Sequence, residues 1–293
     1  MTARGHITAG DISPIMYSAE ATYGTPVNPA SVWGVIGEGG SFQPTDNLNP
    51  YITYTTNSRA YDPAKYVPQK IDRGFRARYE VIDTTNAVKN VLDGAISAFG
   101  DSLPSRTVGL KVRDQTLLYE GVKTDTLVIS ADAPGAVAKF EETALGRKVL
   151  SLITFTPTIP SGMHAVQWVG GVTLGGTTYY PQSMKLTIKN NLGIEYAHGN
   201  GYGETYTKDL LEGRQEIEFE MTLWMEDLAW LYNAIEGGAP GTISLTLGTT
   251  KPRIITLSGV NYVHDGNNTA LVQDKQLETV RFIASILTHA NPA

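Results

Sequence analysis

Between residues 213 and 224 the chain alternates strictly, with Glu216, Glu218 and Glu220 on one side and Ile217, Phe219 and Met221 on the other. A period of two predicts a strand with one buried face. From Leu228 the rhythm changes to i, i+3, i+4, i+7 (Leu228, Leu231, Tyr232, Ile235), which predicts a helix stopped by Gly237 and Gly238. The same order occurs earlier. In "FRARYEVI", Phe75, Ala77, Tyr79 and Val81 alternate with Arg76, Arg78, Glu80 and Ile82. A helix pattern follows, with Val88, Val91, Leu92, Ala95, Ile96 and Phe99 on one face and Gly100 as its stop.

The spacing between the two passages is nearly constant. Gly74 and Gly213 are 139 apart, Glu80 and Glu220 are 140, Ile96 and Ile235 are 139, and Gly121 and Gly259 are 138. Each passage ends on another apolar alternation, "RKVLSLITFTP" and "ETVRFIASIL". The second opens on "HAVQWVGGVTLGGTTYYPQSMKLTIKNNLG", whose alternation and Gly-Gly or Asn-Asn turns predict a β-meander. The expected architecture is mainly β: two tandem β-sandwich or β-barrel units, residues 1–160 and 161–293, each with one flanking α-helix. Their boundary falls near 158–164, where proline and glycine separate strand patterns.

Composition fits this reading. Thirty glycines and fifteen tyrosines suit strands joined by tight turns. There is no cysteine, which excludes disulfides, thiolate metal sites and a cysteine nucleophile. No apolar run approaches the length needed to span a bilayer, and the first residues lack the apolar centre of a signal peptide. The chain is therefore expected to be made and used without crossing a membrane. Net charge is −6, about −1 on residues 1–158 and −5 on 159–293. Neither half carries the basic footprint of a protein that grips nucleic acid.

Catalytic and ligand motifs are scarce. The five histidines (His6, His164, His198, His264, His289) form no HxH or HExxH pair. Gly199, Gly201 and Gly203 precede a strand pattern rather than a helix start, so they form a loop and not a phosphate cradle. Asp265-Gly266 is a hairpin turn with too few acidic neighbours for calcium. No metal or cofactor is expected. Only the glutamate row has the makings of a site, since paired carboxylates on one strand face, about 6.6 Å apart, can do acid–base chemistry. Its counterparts in the first passage, however, are Arg76, Arg78 and Glu80. An active site has no need of an arginine-rich sister, whereas a sheet surface can use opposite charges as cross-strand pairs.

Two stretches carry a family resemblance. "YSAEATYGTPVNP", from residue 17, and the block "MKLTIKNNLGIEYAHGNGYGETYTKDLLEGRQEIEFEMTLWMEDLAWLYNAI" resemble the major tail tube proteins of long-tailed bacteriophages, and the doubled plan is similar to their two-unit type. The resemblance implies a β-sandwich with a flanking helix whose sheet joins its neighbours' around a ring. The strands holding Arg76, Arg78, Glu80, Glu216, Glu218 and Glu220 would then form the inner sheet or a cross-strand seam. The loops 57–70 and 200–211, with Tyr61, Lys65, Tyr66, Tyr202, Glu204 and Tyr206, would make contacts between rings or subunits. Three two-unit chains would complete a pseudo-hexameric ring, and stacked rings would make a tube.

The partners so implied are the chain itself, a tape-measure protein, tail terminator and tail tip proteins, and double-stranded DNA passing without sequence-specific binding. The place implied is the virion tail, assembled in the host cytoplasm, and no enzyme activity is implied. An acidic lumen would suit such a conduit by repelling phosphates. Two other readings stay open. One is a β-sandwich adhesin or carbohydrate-binding module using Tyr51, Tyr54, Tyr61 and Tyr66; the other is a glycosidase using the glutamate row.

Overall fold

The computed structural model describes residues 14–37, 39–45, 47–52, 66–83, 86–97, 102–112, 115–150, 164–198, 205–224, 241–263 and 277–291. The first half supplies β1 (Ile15–Ala19), β2 (Ser31–Gly34), β3 (Ser41–Pro44), β4 (Asn47–Ile52), β5 (Tyr66–Glu80), α1 (Ala87–Ala95), β6 (Arg106–Val112), β7 (Gln115–Ala131), β8 (Lys139–Gly146) and β9 (Lys148–Leu150). The second supplies β10 (Trp168–Leu174), β11 (Thr177–Tyr179), β12 (Ser183–Lys189), β13 (Gly193–His198), β14 (Thr205–Leu211), β15 (Glu216–Trp224), β16 (Thr242–Leu247), β17 (Arg253–Ser258), β18 (Asn261–Val263), β19 (Leu277–Ala284) and β20 (Ile286–Ala290). The protein is mainly β, built of antiparallel sheets with one helix among the described residues.

The predicted alternations become strands with one buried face. Phe75, Ala77 and Tyr79 of β5 and Ile217, Phe219, Met221 and Leu223 of β15 are each at most 2% exposed. β7 is seventeen residues long and serves two sheets. Its first part pairs with β6 and β9, and its second with β8 and β12. The change of partner occurs at Gly121, whose φ of 63° is strained for any residue with a Cβ. In the second half two strands, β17 and β18, divide the same work, and Gly259 stands between them at φ 61°.

One five-strand path runs β2-β1-β6-β7-β9 in the first half, and another runs β11-β10-β16-β17-β20 in the second. Facing each is a second layer: β7, β8, β5 and β3 in the first half, β18, β19, β15 and β12 in the second. The β7–β12 pairing fuses these second layers into one sheet, ordered β3-β5-β8-β7-β12-β15-β19-β18. Large apolar side chains of both halves, Tyr79 and Phe140 with Trp168, Phe219 and Phe282, meet in one continuous core.

Several details depart from the sequence reading. The expected meander is a β10–β11 hairpin, turning at Gly175 and Gly176 with φ of 52° and 94°, after which β12 crosses to the other sheet. The helix ends at Ala95, before Gly100, because tertiary donors take its last carbonyls. Arg106 Nη2 donates to Gly94 O (3.3 Å), Asn190 Nδ2 to Ala95 O (3.0 Å), and Gln215 Nε2 to the same oxygen (3.3 Å). These bonds do the work expected of a C-terminal glycine. Residues 66–70 and 205–211, expected in loops, are strand, paired in the hairpins β4–β5 and β13–β14. The second expected helix, 228–235, and the boundary at 158–163 lie outside the described residues, where only His164 of that stretch is seen.

Candidate assembly surface

The sheet that joins the two halves turns one face to the core and the other outward. The core face is apolar, so the alternation forces polar residues onto the outer one. Arg76, Arg78 and Glu80 of β5 and Glu216, Glu218 and Glu220 of β15 all lie on this outer face. The structure thus brings the two rows onto one surface but not into contact: β8, β7 and β12 lie between them.

Each row finds its counter-charge on the adjoining strands. Arg76 and Arg78 approach Glu141 of β8 (3.7 and 3.3 Å). Lys185 of β12 pairs with Glu220 (3.3 Å), while Lys189 and Arg281 both pair with Glu218 (3.3 and 3.0 Å). Lys139 pairs with Asp132, just beyond the end of β7. Among the described residues, six cations (Arg76, Arg78, Lys139, Lys185, Lys189, Arg281) therefore share the face with six carboxylates (Glu80, Asp132, Glu141, Glu216, Glu218, Glu220). The chain's excess of acid is not found on this face, which is charge-balanced rather than acidic.

Burial pushes the Glu218 carboxyl up, but hydrogen bonds and charge from Arg281 and Lys189 outweigh it and hold the group below the usual carboxylate range. A glycosidase acid needs the opposite shift, so that it is protonated near neutral pH. The row has the electrostatics of a structural ion-pair lattice. Farther along, hydroxyls continue the pattern: Ser183 donates to Thr222 (3.0 Å), which bonds Thr279 across the next strand (3.0 Å).

Tyr61, Lys65, Tyr202 and Glu204 lie outside the described residues. Tyr66 opens β5 opposite Ile52, and Tyr206 lies in β14 opposite Ala197. β5 continues directly into the charged sheet, whereas β14 packs against β5 and β8, with Thr207 and Leu210 buried, before leading to β15.

Three features that hold this surface in place escape the sequence pattern. Glu142, 1% exposed, accepts from Trp33 Nε1 (2.9 Å), Tyr79 Oη (2.9 Å) and Thr124 Oγ1 (2.6 Å). The buried Arg106 lies 3.5 Å from it, with its guanidinium 3.9 Å over the Trp33 ring. Burial pulls the Arg106 pKa down and pushes the Tyr79 hydroxyl up, the neighbouring Glu142 acting upward on both. Asp83 accepts the backbone N–H groups of Thr249 (2.9 Å), Thr250 (2.8 Å) and Lys251 (3.2 Å), tying the β16–β17 turn to the first half. Lys123 pairs with Glu212 (2.8 Å), which also accepts from Leu103 N (2.9 Å), anchoring the foot of β14. Only Glu142 had a usable signal: in "KFEETALG" it shares the side of Phe140 and Ala144, so it must point inward.

Among the described residues, no cluster of histidine and carboxylate groups could hold a metal ion. Nor is any helix long and apolar enough to cross a membrane. The family model described as phage tail tube protein matches residues 10–284, nearly the whole chain. The chain belongs to the phage tail tube protein family. Comparison with curated proteins finds no match. For a tail tube protein the features above acquire a structural sense: a broad ion-paired sheet, two long hairpins and a role as a building part of the tail.

Proposed function

We propose that this tail tube protein carries two copies of one β unit, that three chains close into a pseudo-hexameric ring, and that stacked rings form a hollow conduit for double-stranded DNA. The observation that carries the reading is the matched pairing order of the two halves, five strands backed by four, with a left-handed glycine at the same junction in each. Two like units fused edge to edge are already a third of a six-unit ring, and a heterologous contact with a closing rotation completes it. Ring closure also removes the open sheet edges, which are otherwise templates for aggregation.

In this reading the ion-paired face, with Arg76, Arg78, Glu80, Glu216, Glu218 and Glu220, lines the ring or its seams. The hairpins bearing Tyr61, Lys65, Tyr66, Tyr202, Glu204 and Tyr206 reach the adjacent subunit or ring. The tube grows around a tape-measure protein in the host cytoplasm, is bounded by terminator and tip proteins, and passes DNA without base recognition. No step requires catalysis or a cofactor. Negative-stain microscopy of concentrated protein is expected to show three-fold or pseudo-six-fold rings and hollow tubes. A protein that stays monomeric at every concentration and ionic strength would refute the proposal.

A further inference from the structure

Two of the buried cations have carboxylate partners: Arg106 has Glu142, and Lys123 has Glu212. Arg253 does not. It opens β17, is 6% exposed, and lies on the same side of the strand as Ile255 and Leu257, both fully buried. On β16 it faces Leu247, which is buried as well. Among the described residues its guanidinium has neither a hydrogen bond nor an ion pair. A charge held out of water without a counter-charge is costly, so such a group is normally met by an ion.

A second unsatisfied group lies beside it. His289 of β20 stands opposite Ile255, which puts it diagonally across from Arg253 on the same face. Diagonal neighbours in an antiparallel pair are about 7–8 Å apart, within reach of a long side chain. His289 Nε2 meets Asp93 Oδ1 of α1 (2.9 Å), while Nδ1 is buried with no partner. Asp93 is already shared, since Lys89 pairs with its other oxygen. Burial pulls the His289 pKa down, Asp93 pulls it up, and the charges of Arg253 and Lys89 pull it down. With Tyr17 of β1 nearby and uncharged, two permanent cations thus stand around one carboxylate and a neutral imidazole.

We propose that Arg253 and His289 form a binding site for one small oxyanion, of the sulfate, phosphate or free carboxylate class, where α1 of the first half meets β17 and β20 of the second. The planar guanidinium offers two parallel N–H groups to two oxygens of such an ion. A water molecule could accept one of these bonds but would bring no counter-charge. With Nε2–H held on Asp93, the neutral ring has only a lone pair at Nδ1; protonation turns that nitrogen into a further donor to the anion. Anion and proton are therefore taken up together. Once bound, they leave His289 as a cation between Asp93 and the ligand, and β20 is tied more firmly to α1. The narrow opening over Arg253 admits an ion and not a peptide.

Sulfate is the probe, because it stays a dianion throughout the range in which histidine titrates, with chloride at equal ionic strength as the reference. In NMR titrations of the full chain, the His289 ring midpoint should move upward with sulfate and reach a plateau, while the exposed His164 follows chloride. Sulfate also stabilises proteins generally by exclusion from their surface, without saturation, so only the saturating response reports the site. Arg253→Met removes an unpaired buried charge; in chloride its Tm should equal or exceed the parent's, and its affinity for sulfate should fall at least about tenfold. Arg253→Lys keeps the charge without the fork and should bind sulfate between the two. A His289 midpoint that answers sulfate no more than chloride, or that answers equally in Arg253→Met, would overturn the site. A marked loss of stability of Arg253→Met in chloride would also count against it, since the guanidinium would then already be satisfied.

Discussion

Glu142 and Arg106 show how a buried pair can constrain a fold without a surface role. Two charges taken out of water need each other and several hydrogen bonds, and Glu142 has four donors around it. Glu142→Ala leaves the Arg106 guanidinium buried without its counter-ion. The expected cost is about 3–5 kcal/mol, read as a fall in Tm and in the denaturant midpoint. The double change Glu142→Leu with Arg106→Met removes both charges at similar volume and should lose markedly less than the single variant. Equal losses would mean that packing, not the pair, holds this part of the core.

The strands were the most legible part of the sequence because a half-buried sheet imposes a period of two on every residue. Phe75 to Tyr79 and Ile217 to Leu223 are buried as their alternation requires. Strand partners were not legible, since alternation states which face is buried and not which neighbour is bonded. That is why the Arg and Glu rows could be placed on like strands while their counter-ions on β8, β12 and β19 could not. The helix end failed for a related reason: its terminating donors, Arg106, Asn190 and Gln215, come from up to 120 residues away. Asp83 is another such long-range contact, 166 to 168 residues from the N–H groups it accepts. Asp83→Ala removes the only carboxylate on those three donors among the described bonds; the turn residues are exposed, so water can take its place and the expected cost is about 0.5–1.5 kcal/mol per bond. Hydrogen exchange should therefore accelerate at Thr249, Thr250 and Lys251 well before the β-sheet amides respond. Uniform acceleration across the sheet would show instead that Asp83 holds the halves together globally.

A tube that passes DNA, as proposed above, must avoid holding it, and the charge balance of the joined sheet would serve that end. Affinity for a duplex comes chiefly from counterions released when free cations neutralise phosphates. On this face each of the six cations already lies within reach of a carboxylate, so little release is on offer even though the face is not acidic. In the proposed reading the glutamates of β15 keep the surface inert. Replacing Glu216, Glu218 and Glu220 together with Gln leaves the strand's shape nearly unchanged but takes the carboxylates from Lys185 and Lys189. The unmodified protein should show no retention of a short duplex in fluorescence anisotropy. The triple variant should bind at low salt, with log K falling against log salt at a slope approaching about −1.8 if both lysines reach phosphates, about −0.9 for each. Lys185→Gln added to that variant should reduce the slope by about one such step. If the triple variant binds no better than the parent while still forming tubes, this face does not meet the DNA, and its ion pairs serve only to join strand to strand.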